Sequence, residues 1–124
     1  MKNEIILKDF MQKVWNEKDI NSIATFVHPE YTIHIDTGDP WEGKTLNHKE
    51  FETRLNYSFN SFPDIHFEIQ HTISNGEYVA ITWTGTNLQN IEDFPHSIKT
   101  FGTTIYHFIK DKVCGHSQVL TGHQ

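Results

Sequence analysis

The spacing of apolar positions changes along the chain, from mostly helical in the first half to strand-like in the second. Residues 4–17 place Ile5, Ile6, Phe10, Met11, Val14 and Trp15 at helical intervals, with Lys8, Gln12, Lys13 and Glu17 opposite, which predicts an amphipathic helix. Asp19-Ile20-Asn21-Ser22 supplies capping residues for a shorter helix through Ile23 and Phe26, ended by His28-Pro29. Tyr31, Ile33 and Ile35 then alternate with Thr32, His34 and Asp36, the pattern of a half-buried strand. A turn-rich loop, Thr37-Gly38-Asp39-Pro40-Trp41-Glu42-Gly43, follows. Asn47 with Glu50 reads as a capping box for a third helix whose inner stripe is Phe51, Leu55, Phe59 and Phe62, stopped by Pro63-Asp64.

Beyond residue 64 the period is two. Ile65, Phe67, Ile69, His71 and Ile73 share one face of a strand, and Asn75-Gly76 marks a tight hairpin because both residues tolerate positive φ. The partner strand, about residues 78–87, alternates Val79, Ile81 and Trp83 with Ala80, Thr82 and Thr84. A loop over residues 88–96 leads to a last hairpin, residues 101–109 and 113–120 about the polar turn Lys110-Asp111-Lys112. Its strands set polar groups among apolar ones, as strands that line a cavity do. The whole order predicts an α+β domain over residues 1–124, three N-terminal helices packed on a curved antiparallel sheet with a pocket between the layers.

Composition narrows the classes of partner. A chain of 124 residues forms one domain with one core, and its 13% aromatic content offsets a modest 36% of hydrophobic residues. A formal charge of -6 argues against nucleic acid and against an anionic membrane surface. The single cysteine, Cys114, has no intramolecular partner, and neither Cys/His zinc spacing nor HExxH is present, so no metal is expected. The N-terminus leads into an amphipathic run unlike a signal peptide, and no apolar stretch approaches the roughly 18 residues of a membrane span. A soluble, cytoplasmic protein is the expectation.

Several motifs in this order resemble the SnoaL-like group of the NTF2-like superfamily, over nearly the whole chain. They are Val14-Trp15-Asn16-Glu17-Lys18-Asp19, Tyr31-Thr32-Ile33-His34, Gly43, Phe62-Pro63-Asp64-Ile65, Trp83-Thr84-Gly85-Thr86, Phe101-Gly102-Thr103-Thr104-Ile105-Tyr106-His107-Phe108, and Lys112-Val113-Cys114-Gly115-His116. The resemblance implies a cystatin-like cone, and a family of polyketide cyclases, isomerase-like enzymes, dehydratases and pure binding domains. It implies a homodimer through the sheet face. It also points to two departures. The cyclases' aspartate position falls on Thr121, with Ser117 in place of tryptophan, and the isomerases' first-strand aspartate position falls near Ile35, with Asp36 one residue on and on the other face.

Strand parity and the resemblance together turn Gly102, Thr104, Tyr106, Phe108, His116, Gln118 and Leu120 inward, with Trp83 and His71 brought in by the apolar rows. His116 is either an acid/base or a hydrogen-bonded wall residue, with Tyr106 or Gln118 able to hold a substrate carbonyl. His34 and Asp36 form a second candidate pair on one strand face, at the rim or outside unless a bulge intervenes, and otherwise a solvated surface. Trp41 is either a lid over the pocket mouth, a dimer contact or loop packing. Trp15 and Trp83 continue apolar rows and read as core before platform. Cys114 shares a face with His116 by count, as a pocket or core thiol without an activating base.

The resemblance implies that the ligand is a small apolar carbonyl compound, polyketide- or steroid-like. It is bound, or converted without a cofactor by proton transfer in a cyclisation, isomerisation or dehydration. A non-catalytic binding or dimeric interaction module is the competing expectation.

Overall fold

The N-terminal amphipathic run forms helix α1 (Lys2–Phe10), which passes into a π-helical stretch, Met11–Asn16. The wider turn there lets Met11 and Val14 stay buried while Asn16 faces the sheet. Its amide group docks on a strand backbone, accepting from the Phe67 N–H at 2.8 Å and donating to the Phe67 carbonyl at 2.9 Å. A 3-10 turn (Ile20–Ser22) and a single turn of helix α2 (Ile23–Phe26) follow. The computed structural model describes residues 2–88 and 99–123, with side chains through residue 121. Most of the loop expected over residues 88–96 therefore lies outside the described residues.

Strand β1 (Val27–Asp36) begins earlier than the apolar alternation indicates, and β2 (Thr45–Leu46) is a short addition beside it. Helix α3 (His48–Ser61) starts at the capping box read from the sequence. Asn47 Oδ1 accepts from the Glu50 N–H at 2.8 Å, and Glu50 Oε1 accepts from the Asn47 N–H at 2.9 Å. Strands β3 (His66–Asn75), β4 (Tyr78–Thr86), β5 (Lys99–Ile109) and β6 (Lys112–His123) complete one six-stranded sheet in the order β2-β1-β6-β5-β4-β3. All pairings are antiparallel except β1 with β6, where the chain returns alongside its first strand in parallel.

The helices cover one face of this sheet, and Leu7, Phe10, Val14, Ile33, Phe51, Leu55, Ile81 and Phe108 form the core between them. Among the described residues, no helix is long and apolar enough to cross a membrane.

Strand parity is interrupted by bulges, and these decide which side chains point inward. In β1, Ile33 pairs with His116 but Ile35 with Ser117, so His34 is the extra residue. Both His34 and Ile35 then lie on the exposed side and Asp36 turns in. In β3, Ile69 pairs with Trp83 but His71 with Thr82, so Gln70 is extra and everything beyond it changes face. In β6, the register shift opposite His107 and Phe108 makes Cys114 the extra residue. That corrects the parity count for Cys114. Its Sγ lies 3.3 Å from Nδ1 of the outward-facing His107, away from His116, and burial raises the pKa of the thiol.

Candidate functional site

Between the helices and the curved sheet lies a cavity of about 580 Å³, in the range typical of small-molecule sites. Phe10, Trp15, Phe51, Phe62, Phe67 and Trp83 make most of its wall aromatic. The polar groups gather where β1, β6 and α3 approach one another.

Asp36 is the hub of that group, 8% exposed at the end of β1. Its Oδ2 lies 2.8 Å from His116 Nε2 and 3.3 Å from Arg54 Nη2, and its Oδ1 lies 3.5 Å from Gln118 Nε2. On the other side of the imidazole, His116 Nδ1 meets the Tyr31 hydroxyl at 2.6 Å. Burial raises the Tyr31 pKa well above its ordinary value, so the phenol keeps its proton and donates it to Nδ1. His116 must then carry its own proton on Nε2 and donate to the Asp36 carboxylate. Burial lowers the His116 pKa against the opposing pull of that hydrogen bond, which keeps the imidazole neutral near pH 7.

Arg54 projects from the inner side of α3 and binds a second carboxylate more closely than the first. Its Nε and Nη2 lie 3.0 and 2.8 Å from Asp39 Oδ2, in the loop after β1. Burial opposes the guanidinium's charge, and Asp39 first, then Tyr31 and Asp36, together more than restore it, leaving the Arg54 pKa raised. Asp39 Oδ1 in turn accepts from the Trp41 N–H at 2.8 Å, and Glu42 Oε2 accepts from the Asp36 N–H at 2.7 Å. The loop thus folds its carboxylates back toward the strand that carries Asp36.

A second set of hydrogen bonds reaches Asp36 from the far wall. The indole N–H of Trp83 can only donate, and it donates to Thr104 Oγ1 at 2.8 Å. The Thr104 hydroxyl donates onward to Gln118 Oε1 at 2.9 Å, which leaves the Gln118 NH₂ facing Asp36. Gly102 makes this possible, because a Cβ there would fall inside the Trp83 ring. Tyr106 lines the same end, its hydroxyl 3.7 Å from Met11 Sδ and its pKa raised by burial.

Among the residues expected from sequence, His116, Asp36, Trp83, Thr104, Tyr106 and Gln118 meet around this end of the cavity. Three do not. His34 is exposed on the outer side, because the bulge at His34 turns only Asp36 inward. His71 is turned outward by the bulge at Gln70, where its Nδ1 meets Thr82 Oγ1 at 2.8 Å. Trp41 packs its ring edge-on against Tyr57 of α3, 5.3 Å between centroids, and does not line the cavity. Thr121 is exposed and borders a shallow depression on the outer face.

Tyr31, Asp39 and Arg54 are the members of the site that sequence reasoning missed. Arg54 alone left a trace, as a charged residue between Phe51 and Leu55 on the inner stripe of α3. Among the described residues, no cluster of three His, Cys, Asp or Glu side chains is placed to hold a metal ion.

The SnoaL-like domain family matches residues 7–116 of the chain. A structure described as a candidate polyketide cyclase from Acidithiobacillus ferrooxidans is 34% identical, with a TM-score of 0.86 over 98% of this chain and 89% of that one. A SnoaL-like polyketide cyclase from Agrobacterium tumefaciens is 18% identical, with a TM-score of 0.77 over 95% of this chain and 90% of that one. An uncharacterised cystatin-fold protein from Novosphingobium aromaticivorans is 17% identical, with a TM-score of 0.74 over 96% and 98%. The last two show the fold alone. No curated protein matches the chain.

Proposed function

The chain belongs to the SnoaL-like family, and from that premise we propose that it binds a small, largely apolar carbonyl compound and moves a proton beside the carbonyl group. The observation that carries this reading is the buried chain Tyr31–His116–Asp36 at the polar end of an aromatic cavity. Asp36 Oδ2 is occupied by His116 and Arg54, whereas Oδ1 has only the long contact to Gln118, so Oδ1 is the oxygen available as base.

In this mechanism Oδ1 takes a proton from the carbon next to the carbonyl, and the electron pair passes to the carbonyl oxygen. A Gln118 N–H and the Tyr106 O–H supply donors for the resulting enolate oxygen. The enolate carbon then attacks a second carbonyl of the same molecule, whose π electrons pass to its oxygen and take the proton back from Asp36 as the ring closes, or the enolate regains that proton at another carbon. His116, held by Tyr31, donates to Oδ2 and fixes the orientation of the carboxylate, leaving Oδ1 to take the proton. The residues of the cavity suffice for these steps without a cofactor.

The test is proton exchange, which needs no knowledge of the natural substrate. With 2-tetralone in deuterium oxide, wild-type protein should accelerate loss of the α-proton signal, and Asp36→Asn should lose about 100-fold or more of that acceleration. His116→Gln should lose a smaller share. Exchange no faster than in buffer would sink the catalytic reading.

One observation favours a second role, as an interaction module. The outer sheet face carries a row of exposed apolar residues, Ile73, Ile105 and Val119, 73%, 47% and 61% exposed. We propose that this face pairs two copies of the chain. Light scattering at micromolar concentration should give a dimer, and Ile105→Lys should shift it to monomer. A wild-type monomer under those conditions rules the pairing out.

A further inference from the structure

The charges at the polar end of the cavity do not balance. Arg54 is the one cation among the described lining residues, and two carboxylates, Asp36 and Asp39, share it. Its shorter contacts, 2.8 and 3.0 Å, go to Asp39, and its 3.3 Å contact goes to Asp36. His116 is neutral, Tyr31 and Tyr106 keep their protons, and Glu42 adds another carboxylate at the Asp36 N–H. Asp36, Arg54 and His116 are each less than a tenth exposed, where charges interact strongly, with Asp39 half-buried beside them and Glu42 exposed at the edge.

We propose that Asp39 is a specificity-determining residue: by saturating Arg54 it leaves this end of the cavity net negative, so the site takes uncharged oxygen-bearing ring compounds and refuses their carboxylate analogues. The inference rests on the cavity being the ligand site. A ligand carboxylate brought here would meet Asp36 and Asp39 with no free cation to pair with, and would lose its hydration as well. An ester, ketone or hydroxyl oxygen needs only hydrogen bonds, which Gln118 and Tyr106 carry protons for. Were Asp39 an amide, the guanidinium fork of Arg54 would be released to bind a ligand carboxylate side-on, the arrangement it favours. Asparagine would also keep an oxygen for the Trp41 N–H, so the loop retains that anchor.

A matched pair of probes tests this by calorimetry: methyl 2-naphthoate and 2-naphthoate, which share a ring system and differ in charge. At pH 7 the wild-type protein should bind the ester at least about tenfold more tightly than the acid. Asp39→Asn should raise affinity for the acid by about tenfold or more while changing that for the ester little. Equal affinities in the wild type, or an unchanged ratio in Asp39→Asn, would overturn the proposal. If that variant does not fold, the wild type still decides. Affinity for the acid should climb as the pH falls through the probe's own titration while affinity for the ester stays level, and a flat acid curve overturns the proposal. Binding of neither probe would overturn the cavity reading along with this one. Discrimination without any proton exchange on 2-tetralone would uphold it while removing the catalytic reading.

Discussion

A histidine 4% exposed beside a carboxylate and a phenol couples the stability of the protein to pH. The unfolded imidazole titrates near 6.5 and the folded one lower, so between those values the unfolded chain holds more protons. The stability contributed by neutral His116 is therefore complete above pH 6.5 and is lost as the pH falls through the folded value. Thermal melting followed from about pH 7.5 down to about pH 5 should show a steeper loss in wild type than in His116→Gln, the difference isolating this histidine from the other eight. Arg54 is the other residue on which much depends. Replacing it with methionine leaves buried Asp36 and half-buried Asp39 without their cation and should cost about 3–5 kcal/mol in denaturant melts. The two residues differ in how far sequence announced them. His116 sits in a strand whose alternation assigns it a face, whereas Asp39 and Tyr31 gained their roles from contacts across 15 and 85 positions that no local pattern encodes.

Single elements carry their own consequences. The capping box of α3 was legible because it is local, a pair of residues three positions apart that satisfies backbone donors at the helix start. Asn47→Ala should accordingly lower stability by about 1 kcal/mol, read from the shift of a urea midpoint. In β5, Gly102 pairs directly with Trp83 of β4, and the indole occupies the space a side chain would take. Gly102→Ala must displace the ring or the strand, at about 1–3 kcal/mol, and should quench or shift tryptophan fluorescence as the bond from Trp83 to Thr104 opens. The inward rows of β5 and β6 follow strand parity from His116 as far as Leu120, which lines the cavity, because the pairing of Gly102–Tyr106 with His116–Leu120 is regular. Those of β1 and β3 went astray at His34 and Gln70, where the ladder gains a residue. A bulge has no strong composition signal. Its effect is to change the face of every later position in its strand at once, so one uncounted residue in β1 misplaced Asp36 and another in β3 misplaced His71.

For the molecule as a whole, architecture was more legible than chemistry. Helical and strand periods ordered the elements correctly, and the cavity follows from helices lying over a curved sheet. The parallel pairing of β1 with β6 did not follow from any pattern, yet it puts Asp36 opposite Gln118 and Ile33 opposite His116, and so builds the polar end from the two extremes of the chain. The surplus residue at His34 therefore has a meaning in the currency of inheritance. Because the bulge absorbs it, loss of that one codon would make the ladder regular and leave Asp36 opposite Gln118, on the cavity side. In this strand a frame-preserving indel at the bulge would alter the outer face and spare the base.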